Sequence, residues 1–254
     1  MEVCVCLDAV FGSTLALEGL RTASEAGIRR FEFWDWRQRN VEALADLAMR
    51  LGMVPVAFSG NTFNEPLLDA EAHPGTLRHL SRSAEIARTL GVRVLVAHVG
   101  YTLPQRGWVE QWAAAVAGLR AAGDLAEPAG VTLAVEPLNS KIDHPGYFLD
   151  TLDEAHRLLH EVDHPAVRLL LDVYHMWVMH NDLLERLAVV APMIVHVHAA
   201  DHPGRGEPGS GVIPWSAILE RLRGGGYDGP IGLECWPTRP ADAALRRSAE
   251  VLSA

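Results

Sequence analysis

The sequence is poor in several features that would each point to a particular class of protein. Its 254 residues include only three cysteines, an odd number without framework spacing, so we expect free thiols and a reducing, cytoplasmic location. No apolar run approaches the roughly 20 residues of a membrane span. The N-terminal stretch MEVCVCLDAVF also lacks the basic residues that open a signal peptide. We therefore expect neither membrane insertion nor export.

Positive charge is also scarce. The chain has 22 Lys and Arg against 32 Asp and Glu, a net charge of -10, and no basic block. A partner such as nucleic acid is therefore not expected, although one or two arginines could still hold a small anionic substrate. A Gly-rich phosphate turn, typical of a doubly wound nucleotide-binding sheet, is missing as well, which makes that architecture the second choice.

Strand-length apolar runs alternate with helical patterns along the whole chain. Eight candidate strands are found at 2–8, 28–33, 53–58, 92–98, 131–136, 167–172, 193–198 and 230–235. Stretches such as VEALADLAMRLG and WSAILERLRGGG between them have helical apolar spacing, and many end in glycine. Eight such units in about 250 residues predict a single (β/α)₈ (TIM) barrel domain over residues 1–254, with a homo-oligomer left open.

Five polar residues stand at the ends of five consecutive candidate strands. They are His98, Glu136, Asp172, His198 and Glu234, spaced 26 to 38 residues apart, about one strand–helix unit each. The carboxyl ends of barrel strands meet at one rim, where the chemistry of this fold is found. We therefore expect these side chains to lie together.

Several carboxylates at one level of a barrel would repel each other unless a cation lies between them. One carboxylate at a strand end could be structural, but a whole set so placed would be costly to bury. Two Glu, one Asp and one His form a mostly oxygen site that suits one Mn²⁺, Mg²⁺ or Co²⁺ ion better than zinc. We predict that Glu136, Asp172, His198 and Glu234 hold this divalent ion.

Three further residues are candidates for binding a substrate. His175 follows Asp172 by three residues, and Arg205 lies in the Gly/Pro-rich loop HAADHPGRGEPGSGVIPW. We expect both, together with His98, to contact substrate oxygens, the competing interpretations being a helix-capping histidine and a solvated arginine. His196 is interpreted as an interior histidine. Five tryptophans that follow strands could line a pocket or simply pack: Trp34, Trp36, Trp177, Trp215 and Trp236.

The later half of the chain resembles the hydroxypyruvate isomerase family of xylose isomerase-like barrels. The stretches that carry the resemblance lie between about residues 131 and 237: VEPLNSKIDHPGYFLDT, LDVYHMW, HVHAADHPGRGEPGSG and GYDGPIGLECWP. The resemblance implies the same four metal ligands, with Glu136 and Glu234 also moving the proton, and His175 and Arg205 holding substrate oxygens. His198 departs from the glutamine usual in hydroxypyruvate isomerases and matches the related ketose 3-epimerases, and Val212 replaces an acidic residue of the family.

The activity implied is a metal-dependent sugar or keto-acid isomerisation through a cis-enediolate. Hydroxypyruvate, converted to tartronate semialdehyde, is the leading substrate candidate. Four competing functions remain open: a ketose 3-epimerase, a 2-keto-inositol-type dehydratase, an endonuclease IV-like enzyme and a non-catalytic binding barrel. The endonuclease would need more histidines and a basic surface.

Overall fold

Eight parallel strands close into a barrel in the computed structural model, which describes residues 1–253. Each strand pairs with its sequence neighbours, and β8 pairs with β1 to complete the ring. The strands are β1 Val3–Cys6, β2 Arg30–Phe33, β3 Val54–Ser59, β4 Val94–Ala97, β5 Thr132–Val135, β6 Val167–Asp172, β7 Ile194–Ala199 and β8 Ile231–Leu233. The predicted (β/α)₈ barrel is confirmed.

Helices follow the strands and surround the barrel. They are α1 Leu7–Phe11, α2 Ala16–Glu25, α3 Val41–Leu51, α4 His73–Leu90, α5 Trp108–Ala126, α6 Leu152–Val162, α7 Val173–Met179, α8 Leu183–Val190, α9 Trp215–Gly224 and α10 Ala241–Ser253. The Asn40 side chain caps α3 and the Thr151 hydroxyl caps α6, each accepting a backbone N–H. Gly52 and Gly91 end α3 and α4 in the left-handed region, as the sequence predicts.

The first strand is shorter than predicted. A strand was expected over 2–8, but β1 ends at Cys6 and α1 begins at Leu7. Cys4 and Cys6 are buried and free, in keeping with the expectation of free thiols. Helix α1 brings the buried carboxylate of Asp8 over the barrel rim, where it accepts a hydrogen bond from the backbone N–H of Trp34 at 2.7 Å.

The barrel interior is filled in layers below the rim. Val96, Ala134 and Leu170 form a small apolar cluster of their own, separate from the large core between strands and helices. Side chains alternate along a strand, so residues two positions further on share the same inward face. This alternation directs Glu136 and Asp172 inward, one layer above Ala134 and Leu170.

Candidate metal centre

The four predicted ligands converge at the carboxyl ends of β5 to β8. One ligand atom from each of Glu136, Asp172, His198 and Glu234 lies within 4.8 Å of the others, and all four residues are buried. His198 Nδ1 is 3.1 Å from Glu136 Oε1 and 3.6 Å from Glu234 Oε2. Three carboxylates and one imidazole around a single point form a donor set suited to a hard divalent cation.

The two oxygens of Asp172 have different surroundings. Oδ1 accepts the His175 N–H at 2.9 Å and thereby caps α7. Oδ2 is buried and finds no hydrogen-bond partner within residues 1–253. The Arg205 guanidinium lies 3.7 Å from this oxygen, too far to donate a hydrogen bond to it. A buried carboxylate oxygen without a hydrogen bond is costly, and a metal ion would compensate it, so Asp172 fits the role of ligand.

Glu32, on β2, is a site residue that the sequence did not reveal. Its buried carboxylate places Oε2 2.6 Å from His196 Nε2 and Oε1 3.3 Å from His198 Nε2. His198 thus has one ring nitrogen beside the cluster and the other 3.3 Å from a carboxylate, close enough for Glu32 to support it once Nε2 carries a proton. His196 is an interior histidine with a partner, as interpreted from the sequence.

Space for the Glu32 carboxylate is provided by Gly232 on β8. A Cβ at position 232 would lie 2.2 Å from Glu32 Oε1 and 2.8 Å from its Cδ. Any side chain there would displace the carboxylate. The Glu32 carboxylate can therefore occupy this position only because residue 232 is a glycine.

Burial and neighbouring charges set the protonation of the cluster. Burial raises the pKa of the Glu136 carboxyl to about 7, although its hydrogen bond with His198 acts in the opposite direction. Burial also opposes a charge on His198, but the carboxylates of Glu32 and Glu234 outweigh it and raise the pKa of the imidazole well above its ordinary value. A bound divalent cation would favour the ionised carboxylate and the neutral imidazole.

Arg205 is buried beside the cluster rather than solvated. Its Nη2 donates to Glu234 Oε2 at 2.6 Å and lies 3.7 Å from Asp172 Oδ2. The guanidinium stacks 4.6 Å from the Trp236 ring centroid and 5.4 Å from that of Tyr174. The Arg205 backbone is left-handed, with φ of 56°, and its carbonyl accepts the Trp236 N–H at 2.8 Å.

A cavity of about 410 Å³ opens above the ligands. His98 and His175 both line it, and Phe63 stacks on His98 with ring centroids 4.5 Å apart. Of the five tryptophans considered, only Trp34 and Trp236 are among the lining residues, and Trp34 Nε1 donates to Glu234 Oε1 at 2.7 Å.

Loop residues complete the wall on the side of β5 and β6. His144, which the pattern of strand ends does not single out, lines the cavity, and its Nδ1 lies 2.9 Å from the Tyr101 hydroxyl. Asp143 lines it as well. Their neighbourhood depends on the loop conformation, which strand and helix periodicity does not describe.

The sequence-predicted residues thus fall into two groups. Four form the cluster, while His98, His175 and Arg205 lie around it: Arg205 contacts Glu234 directly, and His98 Nδ1 is 3.9 Å from Glu136 Oε2. Burial lowers the pKa of His98 to about 4 and, with the Arg205 charge, that of His175 well below its usual range.

None of the helices within residues 1–253 has the length and apolar character needed to cross a membrane.

The fold and the site define a class of barrel in which carboxylates and a histidine converge at the strand ends. Residues 20–254 match the model of the xylose isomerase-like TIM barrel family. The chain belongs to this family, and the resemblance based on residues 131–237 is confirmed.

Individual relatives agree with this assignment. A Streptomyces coelicolor protein named "Putative hydroxypyruvate isomerase" is 31% identical over 249 residues, covering 91% of this chain and 89% of the relative. Hydroxypyruvate isomerase of Escherichia coli is 31% identical over 160 residues, covering 63% of this chain and 62% of the relative. AP endonuclease, family 2, from Brucella melitensis has a solved structure with a TM-score of 0.87 and 27% identity, covering 98% and 99% of the two chains.

Proposed function

We propose that this protein is a metal-dependent isomerase that moves a proton between the carbons of a carbonyl and its neighbouring carbinol in a small sugar or keto acid. The observation that carries the proposal is the convergence of Glu136, Asp172, His198 and Glu234 beneath one cavity. The names of the Streptomyces and Escherichia relatives support the reaction class.

One divalent ion, Mn²⁺, Mg²⁺ or Co²⁺, would be held by these four residues. When bound, it would act as a Lewis acid and template for the carbonyl and hydroxyl oxygens of the substrate. The orphaned Oδ2 of Asp172 and the mainly oxygen donor set fit such an ion.

The two glutamates would carry the proton. A carbon-bound proton next to a carbonyl is barely acidic in water, so a positioned carboxylate must remove it and an enediolate charge must be stabilised. Glu234 is held by donors on both oxygens, Trp34 on Oε1 and Arg205 on Oε2. Glu136, which is buried and places Oε1 3.1 Å from His198 Nδ1, would serve the other side of the substrate.

Hydroxypyruvate is the leading substrate candidate because two relatives are named as hydroxypyruvate isomerases. A ketose 3-epimerase is the second candidate, and the size of the cavity favours it: about 410 Å³ leaves room for a substrate longer than three carbons. Reprotonation at the neighbouring carbon gives isomerisation, and reprotonation of the same carbon from the opposite face gives epimerisation.

Nucleic acid cleavage and dehydration have less support than either of these reactions. A nucleic acid substrate fits poorly with a net charge of -10 and a cluster that contains a single histidine among its four ligands. A dehydratase could use the same ligands, but the side-chain arrangement gives no separate reason to prefer it. We also propose a cytoplasmic location, because the three cysteines are buried and free.

The test is an assay in D₂O with hydroxypyruvate, tartronate semialdehyde and a panel of ketoses, with Mn²⁺ and after EDTA treatment. We expect activity only with the ion, and deuterium on the carbon next to the carbonyl. Glu136→Gln and Glu234→Gln should each abolish the exchange, since Gln retains an oxygen but cannot accept the proton.

Both glutamates are also expected ligands, so metal content must be measured in each variant. Glu65→Gln is the matched control, because Glu65 also pairs with a histidine, His79, but lies outside the residues lining the cavity. Full activity after chelation, or deuterium exchange in a metal-loaded Glu234→Gln protein at the parental rate, would refute the proposal.

A further inference from the structure

We infer that Asn139 is a positioning residue that fixes the tautomer of His175. In this tautomer His175 presents an Nε2–H donor to the cavity and stays outside the ligand set of the ion. The inference deepens the proposed function, on which its substrate-binding part rests, by naming the residue that orients the His175 donor.

The orientation of the Asn139 amide is fixed by the backbone of its own loop. Asn139 Oδ1 accepts the N–H of Ile142 at 3.0 Å and that of Asp143 at 2.9 Å. A backbone N–H can only donate, so the atom that meets both of them must be the oxygen. The amide nitrogen therefore points to the other side, toward His175.

Two N–H groups then converge on one ring nitrogen of His175. Asn139 Nδ2 lies 2.7 Å from His175 Nδ1, and the backbone N–H of Asn139 points to the same atom at 3.3 Å. An atom that faces two donors must offer a lone pair. A neutral imidazole with its lone pair on Nδ1 carries its proton on Nε2.

Asp143 holds Asn139 in place from the opposite side. Its Oδ2 accepts from Asn139 Nδ2 at 2.7 Å and from the Tyr174 hydroxyl at 2.9 Å. Both groups act as donors toward this oxygen, so it serves as an acceptor. The network runs in one direction, from donors on Tyr174 and Asn139 to acceptors on Asp143 and His175.

The proton on Nε2 has two consequences. His175 is fully buried, lines the cavity, and its Nε2 finds no hydrogen-bond partner in the part of the chain that the structure describes. A buried donor in this position is satisfied when a substrate oxygen enters. Nε2 is also only 3.6 Å from Asp172 Oδ2, yet without a lone pair it cannot coordinate the ion that Asp172 would hold.

The tautomer can be read directly from the full-length protein labelled with ¹⁵N-histidine. Long-range correlations between ring nitrogens and ring protons at pH 8 distinguish a protonated nitrogen from one with a lone pair, and His175→Gln identifies the signals. We expect Nδ1 without and Nε2 with a proton. A protonated Nδ1 would overturn the inference, and this measurement needs no substrate.

The causal role of Asn139 is tested by the double variant Asn139→Asp/Asp143→Asn. It retains an acceptor for the two backbone N–H groups but places a carboxylate oxygen against His175 Nδ1, without adding a second negative charge. We expect the proton to move to Nδ1. Asp143→Asn alone is the control and should leave the parental pattern, because Asn139 still donates to Nδ1. An unchanged tautomer in the double variant would refute the assignment to the Asn139 side chain.

The catalytic consequence is measured separately, with Mn²⁺ and whichever of hydroxypyruvate or the tested ketoses is turned over. We expect kcat of the double variant to fall about 100-fold relative to Asp143→Asn, the effect typical of losing a donor to developing charge. An equal kcat would remove His175 as that donor. If no substrate is turned over, the proposed function fails, whereas the tautomer assignment is still decided by the resonances.

Discussion

The Glu32→Gln substitution should weaken Mn²⁺ binding although Glu32 is not one of the four ligands. His198 needs a lone pair on Nδ1 to bind an ion, so its Nε2 must then carry a proton, and Glu32 Oε1, a buried oxygen without a hydrogen-bond partner in the described residues, lies 3.3 Å from that nitrogen. Glu32 Oε2 is meanwhile 2.6 Å from His196 Nε2. Gln keeps the volume but has one oxygen, so it cannot accept from both imidazoles.

The expected magnitude follows from the way such supports behave elsewhere. Loss of the carboxylate behind a metal-binding histidine typically weakens metal affinity about 10- to 100-fold, or about 1.4 to 2.8 kcal/mol. Isothermal titration of Mn²⁺ into the metal-free protein measures this difference. Glu65→Gln, which alters a glutamate–histidine pair outside the cavity, should retain the parental affinity.

Two results would refute this reasoning. Parental affinity in Glu32→Gln would show that His198 keeps its orientation without the carboxylate. A parent that binds two ions per chain, of which Glu32→Gln loses one, would instead make Glu32, His196 and His198 a second metal site. Those three residues do offer ligand atoms close enough together for an ion.

Residues around the ligand cluster give three more expected outcomes. Gly232→Ala should also reduce Mn²⁺ affinity in the same titration, because its Cβ would lie 2.2 Å from Glu32 Oε1; Gly224→Ala, whose Cβ has no neighbour within 4 Å, should not. Burial lowers the pKa of His98 from 6.5 to about 4, so the unfolded chain takes up a proton that the folded chain refuses as the pH falls through this range. Urea unfolding should therefore show stability lost between these pH values, and His98→Gln should remove up to about 3 kcal/mol of that loss; parallel curves would contradict it. Arg205→Lys keeps the charge but not the planar group that stacks on aromatic rings, and kcat/KM should fall on the order of 100-fold with metal content retained; parental kinetics would return Arg205 to a structural role.

The convergence of Glu136, Asp172, His198 and Glu234 could be predicted because each interrupts an apolar strand near its end. Asp172 follows a run of apolar residues, and the barrel periodicity brings such positions together without any knowledge of loops. Glu32 gave a weaker signal: it lies between Phe31 and Phe33 within a strand. Its partners, His196 and His198, lie more than 160 positions away in sequence. Only the closed barrel brings β2 across to β7.

The contacts of the loop residues could not be predicted from the sequence, for a different reason. Asn139 was visible in the EPLN stretch, but its function depends on a turn that places two backbone N–H groups on Oδ1. Arg205 was identified as a candidate, yet its burial depends on a left-handed backbone and on stacking with Trp236. Hydrogen-bond direction and ring stacking of this kind follow from coordinates, whereas strand alternation follows from the order of residues.

Because Glu32 on β2 lies against His198 on β7, the affinity for a metal ion should depend on whether the barrel is closed. The four residues of the predicted metal site come from the segment between β5 and β8, whereas Glu32 and Trp34, which lie against His198 and Glu234, come from the opposite end of the chain. An ion bound to the ligands would therefore resist separation of the N-terminal strands from the C-terminal ones. Ligand binding stabilises only states that retain the site. A state partly opened between β1 and β8 would bind the ion more weakly and would therefore be less populated. Unfolding of the metal-loaded protein should then be more cooperative.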